Sequence, residues 1–441
     1  MNTSIHAPIH GVRRWLPLLL AGGSLAMLPL SAMAESSETD PYTGKTLTGD
    51  WNGRRSKLAD MGIAFRGSFI DEGFHVFQGG LDRGTRNATQ TQVGVDLDMG
   101  RLTSFWGDGR FHVTIDDRRG RDASTELAGN AYMPIQWSYF ETFTRWGEVS
   151  YDQNFLKQRL NWRIGFYSMG NHFGTTGIAS NFVNAALTGH PFSYSTTSGW
   201  VNFPRPRWTS HLTFYATPEL VVRGGLVLVN TNYNLRKNRW SLYERGTRGH
   251  LYPLELEWMP GTASQGHFPG RYKLGYYYDS TERSMAGDRS QAKASHTDGG
   301  YAYAEQKLTN NAVDGGLSVF AHYTRQTQKV SPIHTWSAAG FVYQGIFHRR
   351  PQDSIALGYV RASINQHLLR HQRQQAAMGL ITREDWLLDQ AEELWELSYS
   401  YQLTPWLTLR PNVQYITHPG VFSYRDIDNV LAVGAQVRVR F

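Results

Sequence analysis

Cysteine is absent from all 441 residues, which excludes a disulfide scaffold and a cysteine-ligated zinc site. Long apolar runs are nearly absent too. A polytopic helical membrane protein needs several stretches of roughly 18 or more apolar residues, and the one continuous candidate lies at the extreme N-terminus, so helical transporters are excluded. Nor is there a strong excess of one charge: 44 Lys plus Arg face 37 Asp plus Glu, a net +7, too little to mark a nucleic-acid binder. Aromatic residues, by contrast, are plentiful at 13%.

The apolar N-terminus reads as an export signal. Arg13 and Arg14 precede an apolar stretch from Trp15 to Leu30, and Ala32-Met33-Ala34 forms a small-x-small cleavage site before Glu35. Pro17 and Pro29 argue against an uncleaved anchor. The expected organisation is therefore a cleaved signal at 1–34, a periplasmic segment at 35–61 in which Trp51 to Met61 forms one or two helical turns, and a β-barrel at 62–441.

Beyond the signal the periodicity is that of strands. Leu431, Val433, Ala435, Val437, Val439 and Phe441 fall on one face, opposite Ala432, Gly434, Gln436, Arg438 and Arg440. Sixteen such segments are expected, near 62–74, 89–102, 109–116, 146–153, 160–168, 209–217, 220–229, 251–259, 271–279, 300–307, 315–325, 338–347, 354–362, 393–403, 406–417 and 430–441. Alternation alone also fits a soluble sandwich. The connections decide: long ones (75–88, 117–145, 169–208, 230–250, 280–299, 326–337, 363–392, 418–429) alternate with tight turns such as Pro218-Glu219 and Thr404-Pro405. Long loops at one end, short turns at the other and an even strand number describe an all-β, antiparallel transmembrane barrel of the bacterial outer membrane, with long extracellular loops and short periplasmic turns. Closure leaves no unpaired backbone edge in hydrocarbon. Aromatics near strand ends on the apolar face, among them Trp162, Trp258, Tyr276, Tyr278 and Trp395, suit the lipid-water boundary. The last strand, ending on Phe441, resembles the signal read by the outer-membrane assembly machinery.

Several stretches resemble the carbohydrate-selective porin family of the OprB type. They include Gly49-Asp50-Trp51-Asn52-Gly53-Arg54-Arg55, Glu148 to Gln153 with Arg163-Ile164-Gly165, Val342-Tyr343-Gln344-Gly345, Leu403-Thr404-Pro405-Trp406-Leu407, and Gln414 to Gly420. The resemblance implies a sixteen-stranded barrel that passes monosaccharides such as glucose by diffusion, with inward-folded loops narrowing the pore. Departures include Asn52, Ser150 and an Arg- and Pro-rich run from Asn202 to Trp208; they put the solute in question and leave the fold intact.

In such a barrel the polar face lines the lumen. Parity places Arg66, Asp96, His112, Arg223, Glu255, Glu257, Lys273, Glu396, Arg410 and Arg438 there. A wall holding both signs suits a neutral polyol, because Arg donates in a fixed fork and carboxylates accept from vicinal hydroxyls. Glu148 and Arg163, on adjacent strands, form the leading sugar-contacting pair. Arg118 and Arg119 after the third strand, Trp200 in the connection 169–208, Arg223 and Glu257 complete the candidate substrate-binding set. Trp200 either stacks on a sugar or anchors its own loop. No cofactor, metal or catalytic residue is expected, since no nucleophile elbow, paired-His metal helix or phosphate loop occurs. Partners are small sugars, outer-membrane lipid and the assembly machinery, and both a monomer and a homotrimer stay open. The competing readings are a general or other-solute porin, an outer-membrane barrel enzyme and a secreted sugar-binding β-sandwich.

Overall fold

The computed structural model describes residue 42 and residues 44–103, 107–138, 141–188, 191–261, 268–286, 292–313, 315–380, 391–423 and 425–441. The expected export signal at 1–34 lies outside the described residues. Sixteen antiparallel strands close into one barrel. In chain order they are β1 (Ile63–Gln78), β2 (Gly84–Asp98), β3 (Gly109–Gly120), β4 (Phe143–Phe155), β5 (Leu160–Tyr167), β6 (Arg207–Tyr215), β7 (Leu220–Val229), β8 (Gly249–Trp258), β9 (Gly270–Asp279), β10 (Thr297–Lys307), β11 (Gly316–Gln326), β12 (Ile333–Gln344), β13 (Ser354–Ile364), β14 (Ala391–Thr404), β15 (Leu407–Thr417) and β16 (Val430–Arg440). Each of the sixteen expected segments overlaps one strand. Neighbours in sequence are neighbours in the sheet, and β16 closes on β1 in a register running from Ser68↔Arg440 to Gln78↔Leu431.

The two solvents of the barrel are written in the alternation. Outward positions carry exposed apolar side chains such as Leu212, Leu254, Leu274, Trp258, Tyr276 and Trp395, the lipid-facing surface of an outer-membrane barrel. Inward positions bury Glu72, Glu255, Glu257, Lys273, Glu392, Glu396 and Arg410.

The loop rhythm is less strict than the sequence suggests. Two connections expected to be long, 75–88 and 326–337, shrink to 79–83 and 327–332 because β1, β2 and β12 extend further than expected. At the opposite end, 259–269, 308–315 and 345–353 are more than tight turns, and Met99–Leu102 is a short helix where strand was expected. The described residues of two connections, 121–142 and 168–206, fold into the barrel, where they form apolar clusters against the wall. One joins Leu127, Met133, Ile135, Phe182 and Leu187 to Phe74, Trp336, Val360 and Leu394. The other joins Phe173, Tyr194 and Trp200 to Val227, Tyr277, Tyr301 and Tyr303. The inner face of Gly358 admits this filling: a Cβ there would stand 2.6 Å from Leu187 and 2.9 Å from Phe182.

Before β1, Arg54–Asp60 forms a helix, labelled α1. Asp50 Oδ1 accepts from the Ser56 amide (2.7 Å) and hydroxyl (2.8 Å). Arg55, 3% exposed, donates to the main-chain oxygens of Phe65 (2.7 Å) and Phe441 (3.2 Å). α1 therefore braces the seam at which the first and last strands meet.

Candidate solute pathway

Carboxylates on the lumen face hold the two inward loops by their backbone. Glu392 on β14 accepts the N–H groups of Ala131, Tyr132 and Met133 at 3.0, 2.9 and 2.8 Å. Four residues on, on the same face of the strand, Glu396 accepts those of Val183 (2.7 Å) and Asn184 (3.0 Å). Glu72 receives the Ser138 amide at 2.8 Å, Glu255 that of Gly174 at 2.7 Å, Asp279 that of Gly199 at 2.6 Å, and Glu305 that of Gly177 at 2.9 Å. Arg410 on β15 caps the carbonyls of Ser180 and Phe182. Buried loop amides need acceptors, and the barrel wall supplies them as side chains.

Between these loops and the wall lies a cavity of about 610 Å³. Glu148 on β4, Arg118 on β3 and Trp200 line it. Glu148 is ion-paired with Arg163 of β5 and accepts from Ser150 Oγ at 2.5 Å. Arg163 stands just behind, 3.8 Å from Asp152, whose carboxylate meets His112 Nε2 at 2.5 Å, while His112 Nδ1 meets Asp96 at 2.7 Å and Asp96 pairs with Arg66 at 2.9 Å. The expected Glu148–Arg163 pair is thus present, at one end of a charge relay around the wall.

Trp200 is 2% exposed, with its ring centroid 4.8 Å from Tyr194 and 5.7 Å from Tyr277. It packs among these rings and also lines the cavity, so both roles weighed from sequence stay open. Arg223 and Glu257 do not line the cavity. Arg223 bridges Glu255 (2.8 Å) and Glu257 (2.5 Å), and Arg271 and Lys273 join the same cluster, which grips the inward loop where Lys273 Nζ donates to Thr175 Oγ1 at 2.9 Å. Arg119 is a correction. β3 continues through Gly120, so Arg118 and Arg119 sit on a strand and alternate faces. Arg119 is exposed on the outer side and pairs with Asp117 at 2.6 Å, away from the lumen.

Sequence reasoning passed over an aromatic slab. Trp137 and Phe203, one from each inward loop, stack at 5.7 Å and 9° and both line the cavity. The Arg118 guanidinium lies 5.3 Å from the Trp137 centroid and 5.5 Å from that of Phe203. Arg205 and Arg207, from the divergent Asn202–Trp208 run, also face the cavity. That run was visible as a departure; what it faces was not.

Buried titratable groups in the inward loop keep their neutral forms. Burial, with the positive fields of His211 and Arg163, holds His172 well below the usual histidine range. Burial and the neighbouring Tyr303 and Tyr301 push Tyr194 well above the usual phenol range, so it stays a hydroxyl, 3.0 Å from the Tyr303 hydroxyl. Among the described residues no cluster of His, Asp and Glu suited to a metal ion occurs.

Comparison with known proteins agrees with this arrangement. Residues 82–441 match the model of the carbohydrate-selective porin, OprB family. The chain is 28% identical to Porin B of Pseudomonas aeruginosa, over 95% of this chain and 96% of that one. It is 26% identical to a putative porin, QuiX, of Acinetobacter baylyi, over 90% and 93%. Among solved structures, the high-pH form of Pseudomonas putida OprB superimposes with a TM-score of 0.83 at 26% identity, covering 92% of this chain and all of that one.

Proposed function

Because this chain belongs to the carbohydrate-selective porin, OprB family, we propose that it lets monosaccharides such as glucose diffuse passively across the bacterial outer membrane, through the cavity between its inward loops. The observation that carries this reading is the cavity itself. Its volume, about 610 Å³, falls in the roughly 300–1,000 Å³ range of small-molecule sites. Its lining joins a flat aromatic slab, Trp137 and Phe203, to guanidinium donors and the Glu148 carboxylate. An aromatic face meets the C–H face of a sugar ring, while Arg and Glu meet its hydroxyls. Many modest contacts also release the solute, which conduction requires.

Family and fold point to a channel rather than an enzyme. Residues 1–34 direct export and are removed in this reading, and β16 together with the Phe441 that follows it is what the assembly machinery receives. Liposome swelling tests the function: vesicles holding the purified protein should swell quickly in glucose and slowly in a disaccharide. Equal rates for both would mean a general porin, and no swelling in either would remove the channel reading.

A further inference from the structure

The lipid-facing wall is interrupted over β5–β8. In register across it stand Trp162, Leu212, Gly224 and Leu254. Nothing in the fold asks for glycine at 224: its backbone is not left-handed, and a Cβ there would meet only Leu254, at an ordinary 3.9 Å. The missing side chain leaves a furrow of about 530 Å³ along Phe155, Trp162, Ser210, Leu212, Gly224 and Leu226. The Trp162 indole donates to the Ser210 hydroxyl at 3.0 Å, which occupies the polar group among these apolar side chains. An apolar furrow open to hydrocarbon suits an acyl chain.

Below the furrow the wall is basic. The β4–β5 turn, 156–159, belongs to the short-turn, periplasmic end of the barrel and carries Lys157 and Arg159, both exposed. The Arg159 guanidinium lies 5.7 Å from the ring centroid of Phe214, which stands two positions from Leu212 on the same outward face of β6. Arg159 Nη2 donates to the Ala216 carbonyl at 2.9 Å and Nε to that of Tyr215 at 3.4 Å. These acceptors are neutral, so they fix the guanidinium on the outer face without cancelling its charge. Glu219, on the next turn of the same rim, is turned away and accepts the Gly261 amide at 3.0 Å. Leu156, Lys157 and Gln158 all lie in the left-handed region, with φ of 53°, 55° and 67°, a run that L residues seldom make. The turn so formed presents the exposed side chains of Phe155 and Leu156 to the bilayer edge beside its two cations.

We propose that this face holds one anionic phospholipid of the periplasmic leaflet, with an acyl chain in the furrow at Gly224 and the phosphate at Arg159 and Lys157. Membrane and cations together name the occupant: hydrocarbon surrounds the furrow, and the anion that a lipid carries at the level of the turn is its phosphate. The glycine that the fold does not require is what lets the chain lie against the wall. The site is on the outside of the barrel, so it stands or falls independently of the solute pathway.

Native mass spectrometry of the full-length protein in detergent tests it, with phosphatidylglycerol or phosphatidylethanolamine added. The expected result is a first bound phosphatidylglycerol at about tenfold lower concentration than phosphatidylethanolamine, the worth of one charge-assisted hydrogen bond. Arg159→Gln should bring the two concentrations together. Gly224→Leu should fill the furrow and weaken retention of both lipids about tenfold, with heat-modifiable migration and single-channel conductance unaltered in each variant. Equal retention of the two lipids by the unaltered protein, or a phosphatidylglycerol preference that survives both substitutions, overturns the proposal. A dimer of the protein that Gly224→Leu abolishes would assign the furrow to a second copy and overturn it as well. The first comparison needs no variant, so a substituted barrel that fails to assemble does not protect the proposal.

Discussion

Glu396 accepts the backbone N–H of Val183 at 2.7 Å, across 213 residues of sequence. With the Asn184 amide on its other oxygen at 3.0 Å, this carboxylate fixes the inward loop where it narrows the pore. Glu396→Ala leaves two buried donors without acceptors, at a cost of about 1–3 kcal/mol each. The loop should fluctuate, and single-channel conductance should rise with added open-state noise while the barrel still forms. Unchanged conductance and noise would show that the apolar cluster alone holds the loop.

The Glu148–Arg163 pair is separable from assembly. Truncating Arg163 removes the direct ion-pair partner of Glu148, a loss of about 3–5 kcal/mol when such a pair is buried, with the lower figure applying because both side chains are slightly exposed, at 11% and 13%; truncating Glu148 costs less, since Arg163 keeps Asp152 at 3.8 Å. Glu148→Ala or Arg163→Ala should alter the sugar concentration needed for half-block, and heat-modifiable migration on a gel should persist. Identical block in both variants would remove the pair from the pathway.

Arg55 has a different signature. It joins α1 to the β1–β16 seam through the main-chain oxygens of Phe65 and Phe441 and stacks 4.1 Å from the Tyr42 ring centroid. Arg55→Ala should lower the temperature at which the folded gel band converts to the unfolded one, with conductance and sugar block unaltered. A changed conductance with an unchanged conversion temperature would contradict a bracing role.

His172 makes the inward loop acid-sensitive. Its folded pKa lies well below the ordinary 6.5, through burial and then His211 and Arg163. Below about pH 6.5 the unfolded imidazole binds a proton that the folded one refuses, so stability is full above that value and falls as the pH drops toward the folded pKa. The conversion temperature should fall between about pH 7 and pH 5, less steeply in His172→Asn. An equal slope in both proteins would assign the sensitivity elsewhere.

Sixteen strands and their inward parity were legible because a period of two against lipid on one side and water on the other leaves its mark at every position. Glu255, Lys273, Glu396 and Arg410 are buried inward and Arg66 lines the cavity, as alternation requires. The strand ends were not legible: β1 runs to Gln78 and β2 starts at Gly84, because polar residues near the rim serve strand and loop alike. That same blur made Arg119 look like a loop residue beside Arg118. Loop placement inside the barrel has no period at all. Trp137 and Phe203 stack across 66 residues of sequence, the difference of their numbers, and Glu392 and Glu396 act as backbone acceptors for partners that only the folded loops bring near.

The most direct measurement is single-channel current through the purified protein in a planar bilayer as glucose is added. A sugar channel with a constricted site predicts stable pores whose current falls saturably with glucose. Stable pores whose current ignores glucose and every other small sugar would contradict it.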